Sequence, residues 1–128
     1  MFSDILLCAD YDRTLTDPMG GIPKRNLDAI RYFMDHGGAF TVNTGRSVAM
    51  CTPIFREIPV NAPLVLYNGS AAYDMKKREF VLCQPIGLDP EEIIRKTHER
   101  YPDFMVEVQG VKAHYTFFHP YTQWGQVC

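Results

Sequence analysis

The sequence has no apolar run long enough to cross a membrane and no basic leader at its start. The apolar run "ILLCA" at residues 5–9 falls far short of the ~20 residues that a membrane span needs. It is also too short for the apolar region of a signal peptide. We therefore expect a cytoplasmic protein with no membrane partner.

An excess of positive charge is also missing. The 128 residues include 13 basic and 15 acidic side chains, which gives a formal net charge of -2. Domains that bind nucleic acids typically present a strongly basic surface. The balance predicts no nucleic-acid partner and favours chemistry on small molecules.

Cysteine pairs with the spacing of a metal site or a redox motif are absent. The four cysteines are scattered, at Cys8, Cys51, Cys83 and Cys128. Cys8 lies within the first apolar run, where a reduced thiol behaves as a small hydrophobic side chain. This usage indicates a reducing compartment, and the four histidines show no metal-like spacing either.

Apolar segments alternate with helical patterns in the first half of the chain. Strands are predicted at residues 5–9, 39–43 and 62–67, each ending in polar residues. Between them, Leu27, Ile30 and Phe33 recur at helical spacing, and a second helix is predicted over residues 48–58. The pattern predicts an α/β fold with a parallel sheet whose first strand is covered on both faces.

The polar residues that follow these strands fall into three clusters, at residues 10–14, 43–47 and 68–70. Ligands of parallel sheets bind at the carboxyl ends of the strands. We therefore expect the three clusters to form one site.

The pattern changes after about residue 70. A hairpin is predicted around residues 76–78, then a helix with Asp89 as N-cap and Pro90 in its first turn, then two strands around Gly110. Six aromatic residues of this region are expected to form the core of a complete second, antiparallel module, or an interface in this shorter chain: Tyr101, Tyr115, Phe117, Phe118, Tyr121 and Trp124.

The cluster after the first strand pairs two carboxylates. In an extended segment Asp10, Asp12 and Thr14 would point to one side. Two close carboxylates favour a shared hard cation such as Mg²⁺. One carboxylate then stays ionised as a nucleophile while the other carries a proton, which suits phosphoryl transfer.

The cluster after the second strand has groups suited to an anion. Thr44 supplies a hydroxyl donor, and Gly45 lets backbone N–H groups approach closely. A helix that begins near Ser47 would point its positive end at the same anion. These residues predict a phosphate site that needs no lysine.

Three segments, "DYDRTLTD", "NTGRS" and "LYNGSAAYD", resemble in order and spacing the amino-terminal half of the haloacid dehalogenase superfamily, in its Cof-type sugar-phosphatase branch. The resemblance implies a Mg²⁺-dependent phosphatase of small phosphorylated metabolites that forms an aspartyl-phosphate. It makes Asp10 the nucleophile and Asp12 the general acid/base. Mg²⁺ would be bound by the Asp10 carboxylate and the Asp12 carbonyl.

The remaining roles also follow from the resemblance. Tyr11, Thr44, Gly45 and Arg46 would bind the phosphoryl group. The substrate would be contacted by two further residues, Asn68 and Gly69. Residues 1–82 would form the amino-terminal half of a Rossmann-like core, and residues 83–128 would begin an α+β cap.

The chain departs from the family pattern in two ways. Arg13 occupies a position where glycine is commonest. The lysine of the family's third motif and the acidic residues of its fourth lie after the cap, whereas this sequence ends at Cys128. Because these groups supply charge neutralisation and metal affinity, we expect their loss to cripple turnover.

The family sheet places strand one at its centre, so a chain without the later strands exposes residues 5–9 as an apolar edge. We expect a homo-oligomer, or the missing carboxyl-terminal half, to cover this edge.

Two other functions compete with the phosphatase. A catalytically incomplete remnant would act as a phosphate-binding or oligomerising module. Alternatively, the Asp10-x-Asp12 pair would bind a metal–nucleotide complex in a glycosyltransferase, although the clusters at residues 43–47 and 68–70 argue against this.

Overall fold

A computed structural model describes residues 1–56, 58–117 and 125–127, the last of these by their backbone alone. The chain divides into two compact units, Met1–Gln84 and Pro85–Cys128. Three of the aromatic residues predicted to form the core of the second module, Phe118, Tyr121 and Trp124, lie outside the described residues.

The first unit is a mixed sheet with helices, which confirms the predicted α/β class. Its sheet has the order β1-β2-β3-β4-β5, in which β1, β2 and β3 are parallel and β4 and β5 are antiparallel to their neighbours. Its elements are β1 (Leu6–Asp10), α1 (Lys24–Asp35), β2 (Ala39–Asn43), α2 (Val48–Ile54), β3 (Leu64–Leu66), β4 (Ala71–Asp74) and β5 (Glu79–Cys83).

Helix α1 follows its apolar pattern. Ile30 is buried and Phe33 is half-buried, while the charged residues of the helix are exposed. The helix ends at Asp35 with His36 as its C-cap, and Gly37 then takes a φ of +92°, which glycine adopts without a steric penalty. Pro23, predicted in the first turn, lies one residue before the helix.

Helix α2 is shorter than predicted, because it ends at Ile54 rather than near residue 58. Ser47 caps its start by accepting a hydrogen bond from the Met50 N–H at 3.3 Å. The chain turns at Phe55, and Pro59 disfavours a helical conformation at Ile58. The helix therefore does not reach Ile58, although the apolar pattern continues to that residue.

The core of the first unit lies around β2 and β3. Phe40, Val42, Leu64 and Leu66 are at most 1% exposed. Residues from the helices and from the turn after β1 complete the same cluster, including Tyr11, Leu15, Ile30, Cys51 and Phe55.

Strand β1 lies at the edge of the sheet, as expected for a chain without the later strands. Among the described residues it pairs with β2 alone. Leu6 is 59% exposed and Leu7 is 46% exposed. The prediction that both faces of this strand are covered is therefore wrong for these residues, because neighbouring residues of a strand point to opposite faces and both of these are exposed.

The second unit contains helix α3 (Pro90–Arg100) and an antiparallel sheet of β6 (Val106–Gln109), β7 (His114–Phe117) and β8 (Gly125–Val127). Asp89 caps the helix by accepting a hydrogen bond from the Glu91 N–H at 3.0 Å, as predicted. The predicted strands around Gly110 are also confirmed. Across the described parts of both units, no helix combines the length and the apolar character that crossing a membrane requires.

Candidate functional site

The three parallel strands end at one edge of the sheet. Asp10, the last residue of β1, lies in register with Asn43, the last residue of β2. Asn43 is in turn paired with Val65 of β3. The polar clusters predicted after these strands therefore begin at the same edge.

The chain leaves β1 through a tight turn. Residues Tyr11–Leu15 form a single wide helical turn, interrupted by Asp12 at ψ 120° and Arg13 at φ +61°. The Thr16 N–H donates to the Tyr11 carbonyl at 3.1 Å and closes the turn. The prediction that Asp10, Asp12 and Thr14 share one side of an extended segment is therefore wrong, because only Asp10 belongs to the strand.

The Tyr11 side chain belongs to the core. It is 6% exposed, and its ring meets Phe55 edge to face at a centroid distance of 5.0 Å. Its backbone, rather than its hydroxyl, is therefore the group of this residue that an anion would contact.

Arg46 and Asp12 form a two-point ion pair between the turns after β2 and β1. Nε of Arg46 donates to Oδ2 of Asp12 at 3.1 Å, and Nη2 donates to Oδ1 at 2.7 Å. The guanidinium carbon also lies 5.2 Å from the ring centroid of Tyr11. These hydrogen bonds hold the pKa of the Asp12 carboxyl below its ordinary value, and the positive charge of Arg46 acts in the same direction.

The sequence-based prediction places Arg46 at the phosphate and does not name Asp12 as its partner. A usable signal was present, because opposite charges occurred in two clusters expected at one edge. The turn geometry that brings them together was not readable from the pattern.

Thr44 links the turn after β2 to β3 and to the turn that follows it. It is 4% exposed. Its backbone N–H donates to the Val65 carbonyl at 3.0 Å, and its own carbonyl accepts the Asn68 N–H at 3.3 Å. Its hydroxyl oxygen accepts the Arg46 N–H at 3.2 Å. The predicted residues Thr44, Arg46 and Asn68 are thus brought together.

Gly45 lies directly against the Asn68 side chain. A Cβ at position 45 would come 2.9 Å from Oδ1 of Asn68, closer than real side chains pack. The absence of a side chain therefore allows the turns after β2 and β3 to meet.

The turn after β3 is left-handed over three residues. Tyr67, Asn68 and Gly69 have φ values of +51°, +54° and +97°, a conformation that costs most residues roughly 1–2 kcal/mol each. The Tyr67 N–H donates to the Arg46 carbonyl at 3.2 Å, which ties this turn to the one before it. Sequence reasoning missed the role of Tyr67 because nothing in a tyrosine predicts positive φ.

Oxygen donors at this edge suit a hard cation such as Mg²⁺ in kind. The Asp12 carboxylate is held by Arg46, so Asp10 and backbone carbonyls are the donors that remain. Among the residues that the structure describes, no three His, Cys, Asp or Glu side chains cluster as a metal site would require.

The α/β sheet thus ends with the exposed Asp10 in register with Asn43, while the turn after β2 carries Thr44 and the Arg46 guanidinium that pairs with Asp12. The family model for haloacid dehalogenase-like hydrolases matches residues 7–123. The chain belongs to this family. No curated protein matches the chain.

Solved structures share the fold. A haloacid dehalogenase-like hydrolase from B. subtilis superposes with a TM-score of 0.74 at 23% identity, over 88% of this chain and 39% of that one. A protein from Bacteroides thetaiotaomicron, described among phosphatases of this superfamily, gives 0.70 at 21% identity, over 88% and 41%.

A putative HAD/COF-like hydrolase from Plasmodium vivax gives a TM-score of 0.66 at 28% identity, over 88% of this chain and 43% of that one. The chain thus spans about two fifths of the length of these relatives.

Proposed function

We propose that this chain carries the amino-terminal part of a Mg²⁺-dependent phosphatase site that acts on small phosphorylated metabolites through an aspartyl-phosphate. One observation carries the proposal. The ion pair between Asp12 and Arg46 joins the acidic turn after β1 to the Thr-Gly-Arg turn after β2. In a member of the haloacid dehalogenase-like hydrolases, this is an acid beside a phosphate-binding turn.

In the first step, an Asp10 carboxylate oxygen attacks phosphorus and the bond from phosphorus to the leaving oxygen breaks. Asp12, whose carboxylate takes up a proton from solvent once Arg46 no longer holds it, gives that proton to the leaving oxygen. In the second step, Asp12 takes a proton from water, whose oxygen attacks phosphorus. The bond to Asp10 breaks and inorganic phosphate leaves.

The phosphoryl group would be bound by the Thr44 hydroxyl, the Arg46 guanidinium and the backbone N–H groups of Tyr11 and Gly45. The turn after β3 would contact the rest of the substrate through two residues, Asn68 and Gly69.

Mg²⁺ would be held by the Asp10 carboxylate and the Asp12 carbonyl. When bound, it neutralises charge on the phosphoryl oxygens. The chain itself supplies the nucleophile, the proton and the anion contacts.

Hydrolysis of p-nitrophenyl phosphate, with Mg²⁺ and with a chelator, tests the proposal. We expect slow, metal-dependent turnover that Asp10→Asn abolishes. Asp4→Asn is the matched control, because Asp4 is exposed and precedes β1, away from the carboxyl ends of the strands. Turnover that survives Asp10→Asn, or that ignores the chelator, would contradict the mechanism.

A second candidate function is a catalytically incomplete module that binds phosphate or self-associates. It is favoured by the span of the chain, about two fifths of its structural relatives. Calorimetric titration with inorganic phosphate, run beside that assay, separates the two candidates: phosphate binding without turnover in any variant supports the module.

We further propose that residues 83–128, which include the whole second unit, begin the cap of this family. A strand from the carboxyl-terminal half, or from a second copy of the chain, would pair with the open edge of β1. The exposed Leu6 and Leu7 support this proposal, since an uncovered apolar edge strand is a template for pairing.

A cytoplasmic location is also proposed. The described cysteines Cys8, Cys51 and Cys83 are free thiols, as a reducing compartment favours.

A further inference from the structure

We infer that Arg46 is a positioning residue shared between two anions. In the chain without ligand it holds the Asp12 carboxylate, and a phosphoryl group bound at the Thr44–Gly45 turn takes it over and leaves Asp12 free. The inference rests on the proposed phosphate site and adds an exchange of partners within it.

Arg46 fixes the Asp12 carboxylate through two hydrogen bonds. Both carboxylate oxygens of Asp12 accept hydrogen bonds from Arg46, at 2.7 Å and 3.1 Å. A carboxylate held in this way has a fixed direction and fewer lone pairs for another proton or ligand. In this state Asp12 is poorly placed to exchange a proton with a leaving group.

Hydrogen bonds fix the backbone of Arg46 next to Thr44 and Tyr67. Its N–H donates to the Thr44 hydroxyl oxygen at 3.2 Å, and its carbonyl accepts the Tyr67 N–H at 3.2 Å. The backbone of residue 46 is thus fixed at the hydroxyl proposed to bind phosphate. Only its long side chain has to move to change partners.

Asp12 and a phosphoryl group differ in how strongly they attract the Arg46 guanidinium. The Asp12 side chain is 52% exposed and that of Arg46 is 29% exposed, and exposed ion pairs are weak. A phosphoryl group carries more negative charge than one carboxylate and also accepts two parallel hydrogen bonds from a guanidinium. Phosphate therefore wins the competition for Arg46.

A double-mutant cycle on the binding of inorganic phosphate tests the exchange. The four proteins are the natural sequence, Asp12→Asn, Arg46→Gln and the double variant, and calorimetric titration gives each affinity. The cycle measures how the interaction between Asp12 and Arg46 changes when phosphate binds. Direct repulsion between Asp12 and phosphate cancels, since it is present in both backgrounds.

We expect Asp12→Asn to raise phosphate affinity more when Arg46 is present than in the Arg46→Gln background. The excess should be about two- to fivefold, the strength of an exposed ion pair that phosphate no longer has to break. Arg13→Gln is the matched control, because it removes a different guanidinium, the one that follows Asp12 in the turn after β1. In that background the gain from Asp12→Asn should persist.

A spectroscopic reading checks the same exchange independently. The Nε–H resonance of Arg46, followed by nuclear magnetic resonance, should shift on phosphate addition in the natural sequence. In Asp12→Asn it should start away from the carboxylate-bound position. If Asp12→Asn does not fold, Asp12→Ser repeats the cycle with another neutral side chain.

If all the proteins bind phosphate and Asp12→Asn raises the affinity equally with Arg46 and with Arg46→Gln, the exchange of partners is overturned. The proposed phosphate site would still stand. No phosphate binding by any of the four proteins would overturn both. The two failures are therefore distinguishable.

Discussion

The Asn68 side chain occupies the space that a side chain at position 45 would need, with its Oδ1 2.9 Å from the site of a Cβ on Gly45. A methyl group at position 45 would therefore have to displace the amide of Asn68, which is the exposed end of a flexible side chain. The phosphate-binding turn proposed after β2 and the substrate-contacting turn proposed after β3 are fitted to each other before any ligand arrives.

Gly45→Ala should destabilise the first unit by less than about 1 kcal/mol, because the atom in its way is the end of the exposed Asn68 side chain, which can turn aside. Urea unfolding followed by circular dichroism measures the change. Gly21→Ala is the control, because its Cβ would meet only Asp17 atoms at 3.7 Å or more.

Adding Asn68→Gly to Gly45→Ala should restore most of that loss. Glycine removes the obstructing amide and also accepts the φ of +54° at this position. A double variant as unstable as Gly45→Ala alone would show that the clash is not the cause.

The ion pair of Asp12 should make stability depend on pH in the acid range. Because the pKa of Asp12 is lowered in the folded chain, its contribution is present above the unfolded pKa of about 3.9 and is lost as pH falls through the folded value. The stability difference between the natural sequence and Asp12→Asn should thus shrink towards zero in acid.

That difference should be less than about 1 kcal/mol at neutral pH, since exposed pairs contribute little. Chemical unfolding at a series of pH values measures it. A difference that stays constant down to the acid limit would contradict the assignment to the charged pair.

The buried thiol of Cys51 should weaken the fold in alkali. Burial raises its pKa to about 12, whereas an unfolded thiol ionises near pH 8.5. The unfolded chain therefore loses the proton first, and stability falls as pH rises between these values, by about 1.4 kcal/mol per pH unit.

Cys51→Ala should flatten this alkaline slope, whatever it does to stability at neutral pH. The exposed Cys83→Ala serves as control and should keep the slope. Thiol labelling gives a second reading, because the exposed Cys8 and Cys83 should react in the native chain and Cys51 only after unfolding.

The open edge of β1 should drive self-association of the isolated chain. Size-exclusion chromatography at rising protein concentration, together with binding of a hydrophobic dye, measures it. Leu6→Lys should reduce both, because a lysine on an edge strand disfavours pairing.

Val81→Lys is the matched control on the opposite edge strand, β5, where Val81 is 60% exposed. It should leave the association through β1 in place. A monomer that binds no dye would contradict the expectation that this edge requires a partner.

Much of the fold was predictable because its signals are local. Asp89 and Pro90, as N-cap and first residue, indicate where α3 starts. The apolar strands with polar ends predict the parallel sheet. The end of α2 was missed because apolar residues at helical spacing, Phe55 and Ile58, continue past Ile54.

The site was harder to predict because its contacts are long-range. Arg46 and Asp12 are 34 residues apart, and their meeting depends on the tight turn after β1. That turn needs Arg13 at φ +61°, a conformation that arginine gives no sign of adopting. The residue types of the site were readable, whereas their pairing was not.

The left-handed run at Tyr67, Asn68 and Gly69 has a consequence for sequence variation. Side chains branched at Cβ fit this conformation worst, and asparagine, aspartate and glycine fit it best. In a saturation library selected for folding, position 68 should therefore narrow to those three amino acids, while the exposed tip of the hairpin at residues 76 and 77 accepts nearly all of them.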